Sequence, residues 1–225
     1  MILEKYLADY YLGKITNREI ADKEFITEHK VAKILRDSGY KTYRDALNGL
    51  AFDDRDLRLL LAQKYNSLKN RCLGKDKKHL GYAGLQYLTV FEWVSTCNSE
   101  SGKINSIWGE YINGDKNLKL ALSIDRINNR TGYTKENIQF VTNGFNSWKS
   151  TLTPIEVIYE NKSYYFMSGE EGSRHFNVRR QTIGECLLNK PHCRKEFTVF
   201  RTTEIDVLSK NNCRDLQEYY ETHIK

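Results

Sequence analysis

Along residues 118–124, Leu118, Leu120, Leu122 and Ile124 alternate with polar or small residues. A period of two puts those side chains on one half-buried face of a strand and turns Asp125, at its end, to the opposite face. A polar, asparagine-rich loop follows, then a short β-rich run over residues 138–141 preceded by Glu136 and Asn137. After that run the period changes. Phe145, Trp148 and Leu152 recur at helical spacing, with Thr142 or Asn143 placed to cap the helix they define. Asn146 and Lys149 share a neighbouring face of that helix. The middle of the chain predicts strand, loop, strand, helix.

The two flanks carry other patterns. In residues 16–39, Ile20, Ala21, Val31, Ile34 and Leu35 are apolar at helical spacings, with a break near residues 25–27. Thr16 and Thr27 stand as N-caps and Gly39 as a stop, which predicts two short helices joined by a tight turn. That pattern fits a helix-turn-helix with residues 27–36 as its recognition helix, presenting His29, Lys30, Lys33 and Arg36 to solvent, and equally an ordinary helical hairpin. Residues 156–176 predict a β-hairpin with its turn at residues 160–162, running into a short helix. Residues 177–190 predict a turn and a second helix, with Arg179, Arg180 and Gln181 at its start, where base or phosphate contacts are made.

Composition narrows the class. With 40% hydrophobic and 28% charged residues over 225 positions, the chain is globular and not disordered. No uncharged apolar run of about 18 residues occurs, and the acidic, tyrosine-rich start lacks the apolar stretch of a signal peptide. A cytoplasmic protein without membrane partners is the expectation. Five scattered cysteines, Cys72, Cys97, Cys186, Cys193 and Cys213, form no CxxC pair, which argues against a disulfide framework or a zinc ribbon. The net charge of +6 is uneven: residues 64–150 hold 13 basic and 7 acidic residues, whereas each flank balances. A local basic excess suits a polyanion, since each Lys or Arg at a phosphate releases counterions.

The central segment resembles the HNH endonuclease family, and in particular the phage and mobile-element proteins that carry DRI-N…Y..EN. The residues that carry the likeness are SIDRINN and GYT.ENIQFVT, with Asp125, Asn137 and Asn146 in register, twelve and nine positions apart. Upstream, YNSLKNRC (65–72) and GYAGLQYLTVFEW (81–93) resemble the family's RC…YGG.GI.V…W block. The resemblance implies an α+β chain with a ββα-metal core over residues 64–153. A helical, helix-turn-helix-like segment (1–63) would precede it, and a DNA-binding module with a C-terminal helix (154–225) would follow. It implies that Asp125 and Asn146 hold Mg²⁺ or another divalent cation such as Mn²⁺, and that Asn137 holds the catalytic loop or general base in place. Lys149 and Arg130 would meet phosphates. Residues 156–201 in turn resemble the small DNA-binding modules appended to intron and phage endonucleases.

One position departs from the family. Where HNH enzymes usually place a histidine base after the aspartate, this chain has Arg126. A guanidinium, with a pKa above about 12, accepts no proton at neutral pH, although it can clamp a phosphate or a transition state. The base would then be Tyr133, His79 or a hydroxide on the cation. The expected function is a Mg²⁺-dependent endonuclease of phage or homing type that hydrolyses phosphodiester bonds in double-stranded DNA. A catalytically silent HNH scaffold that binds DNA as a regulator is the alternative, and an RNA-acting nuclease a third. Oligomeric state is not written in the pattern.

Overall fold

A computed structural model describes residues 3–188, 194 and 196–224. It is an α+β chain that divides into two compact units, Met1–Asn143 and Gly144–Lys225. The sequence boundary at residues 63 and 64 falls inside a long helix, and the boundary between units lies ten residues before 153 and 154.

The first unit opens with short α1 (Leu7–Tyr11), then α2 (Asn17–Glu24) and α3 (Glu28–Asp37). Both expected caps are present. Thr16 and Glu19 satisfy each other's backbone amides in a capping box, and the Thr27 hydroxyl accepts from the Lys30 amide at 3.2 Å. Phe25 turns the chain between them in the left-handed region, at φ 52°. Ile20, Val31 and Leu35 join Tyr10 and Ile15 in a small core, which leaves His29, Lys30, Lys33 and Arg36 exposed on α3. After α4 (Tyr43–Leu47) comes α5 (Arg55–Cys72), capped by Asp54, whose carboxylate accepts from Asp56 and Leu57. Leu57, Leu61, Tyr65 and Leu68 recur at helical spacing and bury one stripe of α5.

That stripe packs with α6 (Val90–Ser99), α7 (Ser101–Asn113) and a two-stranded antiparallel sheet, β1 (Leu122–Arg126) and β2 (Ile138–Thr142). Trp93 is the centre of this core, fully buried with Tyr65 on one side and Phe140 of β2 on the other, each 5.8 Å between ring centroids. The strand is shorter and later than its alternation predicts. Residues 118–121 form turns, and Leu118 is 72% exposed. A strand lasts as long as its partner, and Leu122 pairs with Thr142, the last residue of β2, before the chain turns into a helix. Apolar alternation beyond that point has nothing to pair with.

The second unit begins with α8 (Asn143–Lys149), whose first residue still belongs to the first unit. The helix stops before Leu152, so the expected stripe runs past its end. Trp148 and Leu152 nevertheless share a cluster with Met167, Val207 and Tyr219. The hairpin β3 (Ile155–Tyr159) and β4 (Lys162–Phe166) turns on two residues, Glu160 and Asn161, both at positive φ as a twisted two-residue turn requires. Then come α9 (Gly169–His175), the short helix expected after the hairpin, and α10 (Thr182–Leu187), the second; residues 189 and 190 lie outside the described set. A third strand, β5 (Thr198–Arg201), adds to the free edge of β3, and α11 (Glu204–Lys210) and α12 (Leu216–His223) close the unit. Tyr219 of α12 is buried, and its hydroxyl donates to the buried Glu171 of α9. Cys72, Cys97 and Cys186 are buried and Cys213 is half-buried; Cys193 lies outside the described residues. No helix among the described residues is long and apolar enough to cross a membrane.

Because Trp93 joins α5, α6 and β2, its truncation should undo the packing beneath the sheet. Trp93→Ala is expected to cost about 3–5 kcal/mol, the usual range for emptying a large buried aromatic site. Urea unfolding monitored by far-UV circular dichroism measures it.

Candidate active site

Consecutive residues of a strand leave it on opposite faces, and the register of the sheet shows which is which. Leu122, Ile124 and Arg126 of β1, with Ile138 and Phe140 of β2, lie on the face that joins the Trp93 core. Ser123 and Asp125, paired across the ladder with Val141 and Gln139, lie on the other. Asp125 is 5% exposed, and a carboxylate so placed needs partners to offset its lost hydration. One is the residue directly opposite: the Gln139 Nε2 donates to Asp125 Oδ2 at 2.8 Å.

Between the strands, the loop is folded around Asn137. Its side-chain Oδ1 accepts from the Asn128 amide at 2.8 Å, while Nδ2 donates to the carbonyls of Asn128 at 3.1 Å and Gly132 at 2.7 Å. Its own carbonyl accepts from the Ile127 amide at 2.9 Å. An amide has both an acceptor and two donors, and here all three are spent on one loop. Asn128 adds an Asx turn, its Oδ1 accepting from the Arg130 amide at 2.9 Å, so its role is to shape the turn and leave Arg130 exposed. At Gly132 the loop touches the upstream segment: a Cβ there would stand 2.0 Å from the Gln86 carbonyl oxygen. The neighbouring Tyr133 amide donates to that same carbonyl at 2.8 Å, and Tyr87 and Tyr133 form a parallel bridge. The segment that resembles the family's upstream block is thus fastened to the site loop.

Arg126 does not share the face of Asp125. Its guanidinium donates to the Thr131 carbonyl at 2.8 Å and lies over the rings of Tyr82, at 4.6 Å, and Tyr133, at 5.3 Å. Only 9% of it is exposed. Strand geometry sends Arg126 to the core face, where a buried charge is held by π faces and a carbonyl. Tyr133, the base candidate on the loop, lies against the same guanidinium. The residue is 4% exposed, and burial pushes its phenol pKa up, with Arg71 and Arg126 opposing only in part. A proton acceptor needs the opposite shift. His79, the other side-chain candidate, is 38% exposed, and its Nδ1 lies 2.8 Å from the Asp76 carboxylate.

The remaining candidates lie in the second unit or on the flanks. Asn146 and Lys149 are half-buried on α8, beside the Phe145 and Trp148 rings that face Tyr220 of α12. Asp125 and Asn137 therefore belong to one unit and Asn146 to the other. Arg179 pairs with both oxygens of Glu185, Arg180 pairs with Glu170, and Gln181 is exposed just before α10. Such surface pairs hold their partners weakly, about 0–1 kcal/mol, and exchange readily for phosphate. Gln139, Gly132, Tyr82 and Asp76 were not singled out from sequence. Gln139 falls opposite Asp125 in the observed register, on the face that the alternation gives to both. Gly132 and Tyr82 depend on a meeting of segments more than forty residues apart, whereas Asp76 stands three residues before His79.

The Asp125 carboxylate is an oxygen donor of the kind a hard cation takes, with water and phosphate oxygens able to complete such a shell. Among the described residues no group of three His, Cys, Asp or Glu side chains is placed to hold a metal.

Two substitutions test the loop. Asn137→Asp keeps shape but loses both donated bonds and buries a charge, so the melting temperature should fall by the equivalent of about 1–3 kcal/mol. Hydrogen exchange of the Ile127 and Tyr133 amides, which close the loop on either side, should accelerate with it. Gly132→Ala forces the loop off Gln86, and the same exchange measurement should show the Tyr133 amide losing protection.

No protein-family model, no curated protein and no solved structure matches the chain.

Proposed function

We propose that the chain is a divalent-cation-dependent HNH endonuclease of phage or homing type, cutting double-stranded DNA in the cytoplasm of the cell that holds it. One arrangement carries the reading. A buried Asp125 leaves β1 on the face away from the core, in register with an Asn137 whose amide closes the connecting loop. A loop pinned at both ends holds the backbone beside Asp125 without reorganisation, which is what positioning a phosphodiester requires.

In this reading Asp125 and Asn146 hold Mg²⁺ or Mn²⁺. When bound there, the cation supplies charge for the transition state and the departing oxygen. Gln139 orients the Asp125 carboxylate, and Asn137 and Gly132 keep the loop in place. Arg126 supports that loop through Thr131 and the two tyrosines rather than touching the substrate. Arg130 and Lys149 meet phosphates near the cut, in keeping with the basic excess of residues 64–150. On the flanks, Lys30 and Lys33 of α3 and Arg179, Arg180 and Gln181 before α10 lengthen the recognised site.

The engagement of Arg126 on the core face favours a second reading, a scaffold that binds DNA and does not cut it, because the usual base is missing from its position. Incubation with supercoiled DNA from the protein's own source separates the two. Mg²⁺-dependent breaks that disappear, by a factor of at least about a hundred, in Asp125→Ala support the endonuclease. Tight, salt-sensitive binding with no breaks, unchanged by Asp125→Ala, would favour the silent scaffold.

A further inference from the structure

Away from β1, a cleft of about 580 Å³ opens among residues of α2, α3, α4 and α5. All four helices belong to the first unit. The volume falls in the range of small-molecule sites, about 300–1,000 Å³. Its lining holds three cations, Arg36, Arg44 and Lys69, against one acid, Glu28. Arg36 spends part of its charge on Asp45, at 3.7 Å. Arg44 is exposed and pairs with no carboxylate among the described residues.

Lys69 is half-buried in the wall of this cleft. Its Nζ donates to the Tyr43 hydroxyl at 3.3 Å and lies 4.8 Å from the centre of that ring. The same hydroxyl donates to Asn66 Oδ1 at 3.1 Å, so neutral groups alone hold the ammonium. Gly13, at φ 68°, leaves the space in which the lysine chain runs, since a Cβ there would stand 2.5 Å from its Cδ. No carboxylate among the described residues pairs with Lys69, whereas Lys5 and Lys14 of the same unit meet Glu24 and Asp9 at 2.8 and 3.6 Å. An ammonium has three donors, and the tyrosine takes one. Burial lowers the pKa of Lys69, and the Lys75 charge adds to the effect. The free protein therefore carries this charge at a cost that an anion in the cleft would offset.

We propose that the cleft binds a small phosphate monoester of nucleotide size, with Lys69 and Arg44 as its anion contacts. The lining's excess of two positive charges matches a monoester, which carries about −1.5 to −2 at neutral pH. A cleft of this volume has room for more than the phosphate, and Ile15 and Ala32 offer apolar wall and Asn17 an amide to an attached nucleoside. Bound there, the ligand would touch α3 and α5 together. The site is independent of cutting at Asp125.

The full-length protein is titrated calorimetrically with the four nucleoside 5′-monophosphates, with the matching nucleosides and with inorganic phosphate. Melting temperatures are read by circular dichroism with and without each. At least one monophosphate is expected to bind and to raise the melting temperature as its concentration grows, with its nucleoside at least about tenfold weaker. Lys69→Met keeps the chain's length and removes the charge, so affinity should fall at least about tenfold. Its melting temperature without ligand should stay level or rise, because an unpaired half-buried charge has gone; a lysine that merely held the helices together would give a fall. Arg44→Gln, at an exposed position, repeats the affinity test without touching the packing. If no monophosphate binds the wild type at millimolar concentration, the proposal is overturned. Binding that Lys69→Met and Arg44→Gln both leave unchanged places the ligand elsewhere and overturns it too. So does a loss of duplex DNA binding in these variants with no monophosphate bound, which would make the cleft a contact for the DNA backbone.

Discussion

Opposed side chains at the end of β1 are the constraint on which the site depends. Asp125 and Arg126 are adjacent in the chain and, by the geometry of a pleated strand, cannot occupy one face. The ladder decides which goes where. Leu122, Ile124, Ile138 and Phe140 must bury against Trp93, so Arg126 goes inward with them and Asp125 outward. A guanidinium driven toward a core needs compensation, and the Tyr82 and Tyr133 rings and the Thr131 carbonyl supply it. Those groups come from the upstream segment and the loop, so the charge that the core admits also ties the loop down.

The loop shows how few contacts can order a polar segment. Residues 127–136 hold few apolar side chains to bury, apart from Tyr133. Order comes from Asn137, which spends its whole hydrogen-bonding capacity inside the loop, and from the close approach at Gly132. A carboxylate in place of Asn137 has no donor, and any side chain at Gly132 has no room. Both requirements serve position rather than burial, which is the usual economy of a site built on a loop between rigid strands.

Much of the local structure was legible. The caps at Thr16 and Thr27, the turn between the helices they start, the hairpin near residue 160 and the outward face of Asp125 all follow from short-range preferences. Strand length was not, because residues 118–121 carry the alternation but meet no partner strand. Nor was the reach of the helix beyond Lys149, where Leu152 continues the apolar period after the hydrogen-bonded turns have ended.

The sequence alone determined which chemistry is present: one aspartate after an apolar alternation, two asparagines in register with it, an arginine where a histidine would be expected, and a basic middle third. It could not assign duties among them. Only the tertiary structure set Arg126 over the tyrosines, raised the burial of Tyr133 and brought His79 and Asp76 to the same ring cluster. Pattern within a strand or helix is read from neighbours two to four residues apart. Partnership between residues 82, 126 and 133 depends on where packing brings distant segments together, and no local period records that.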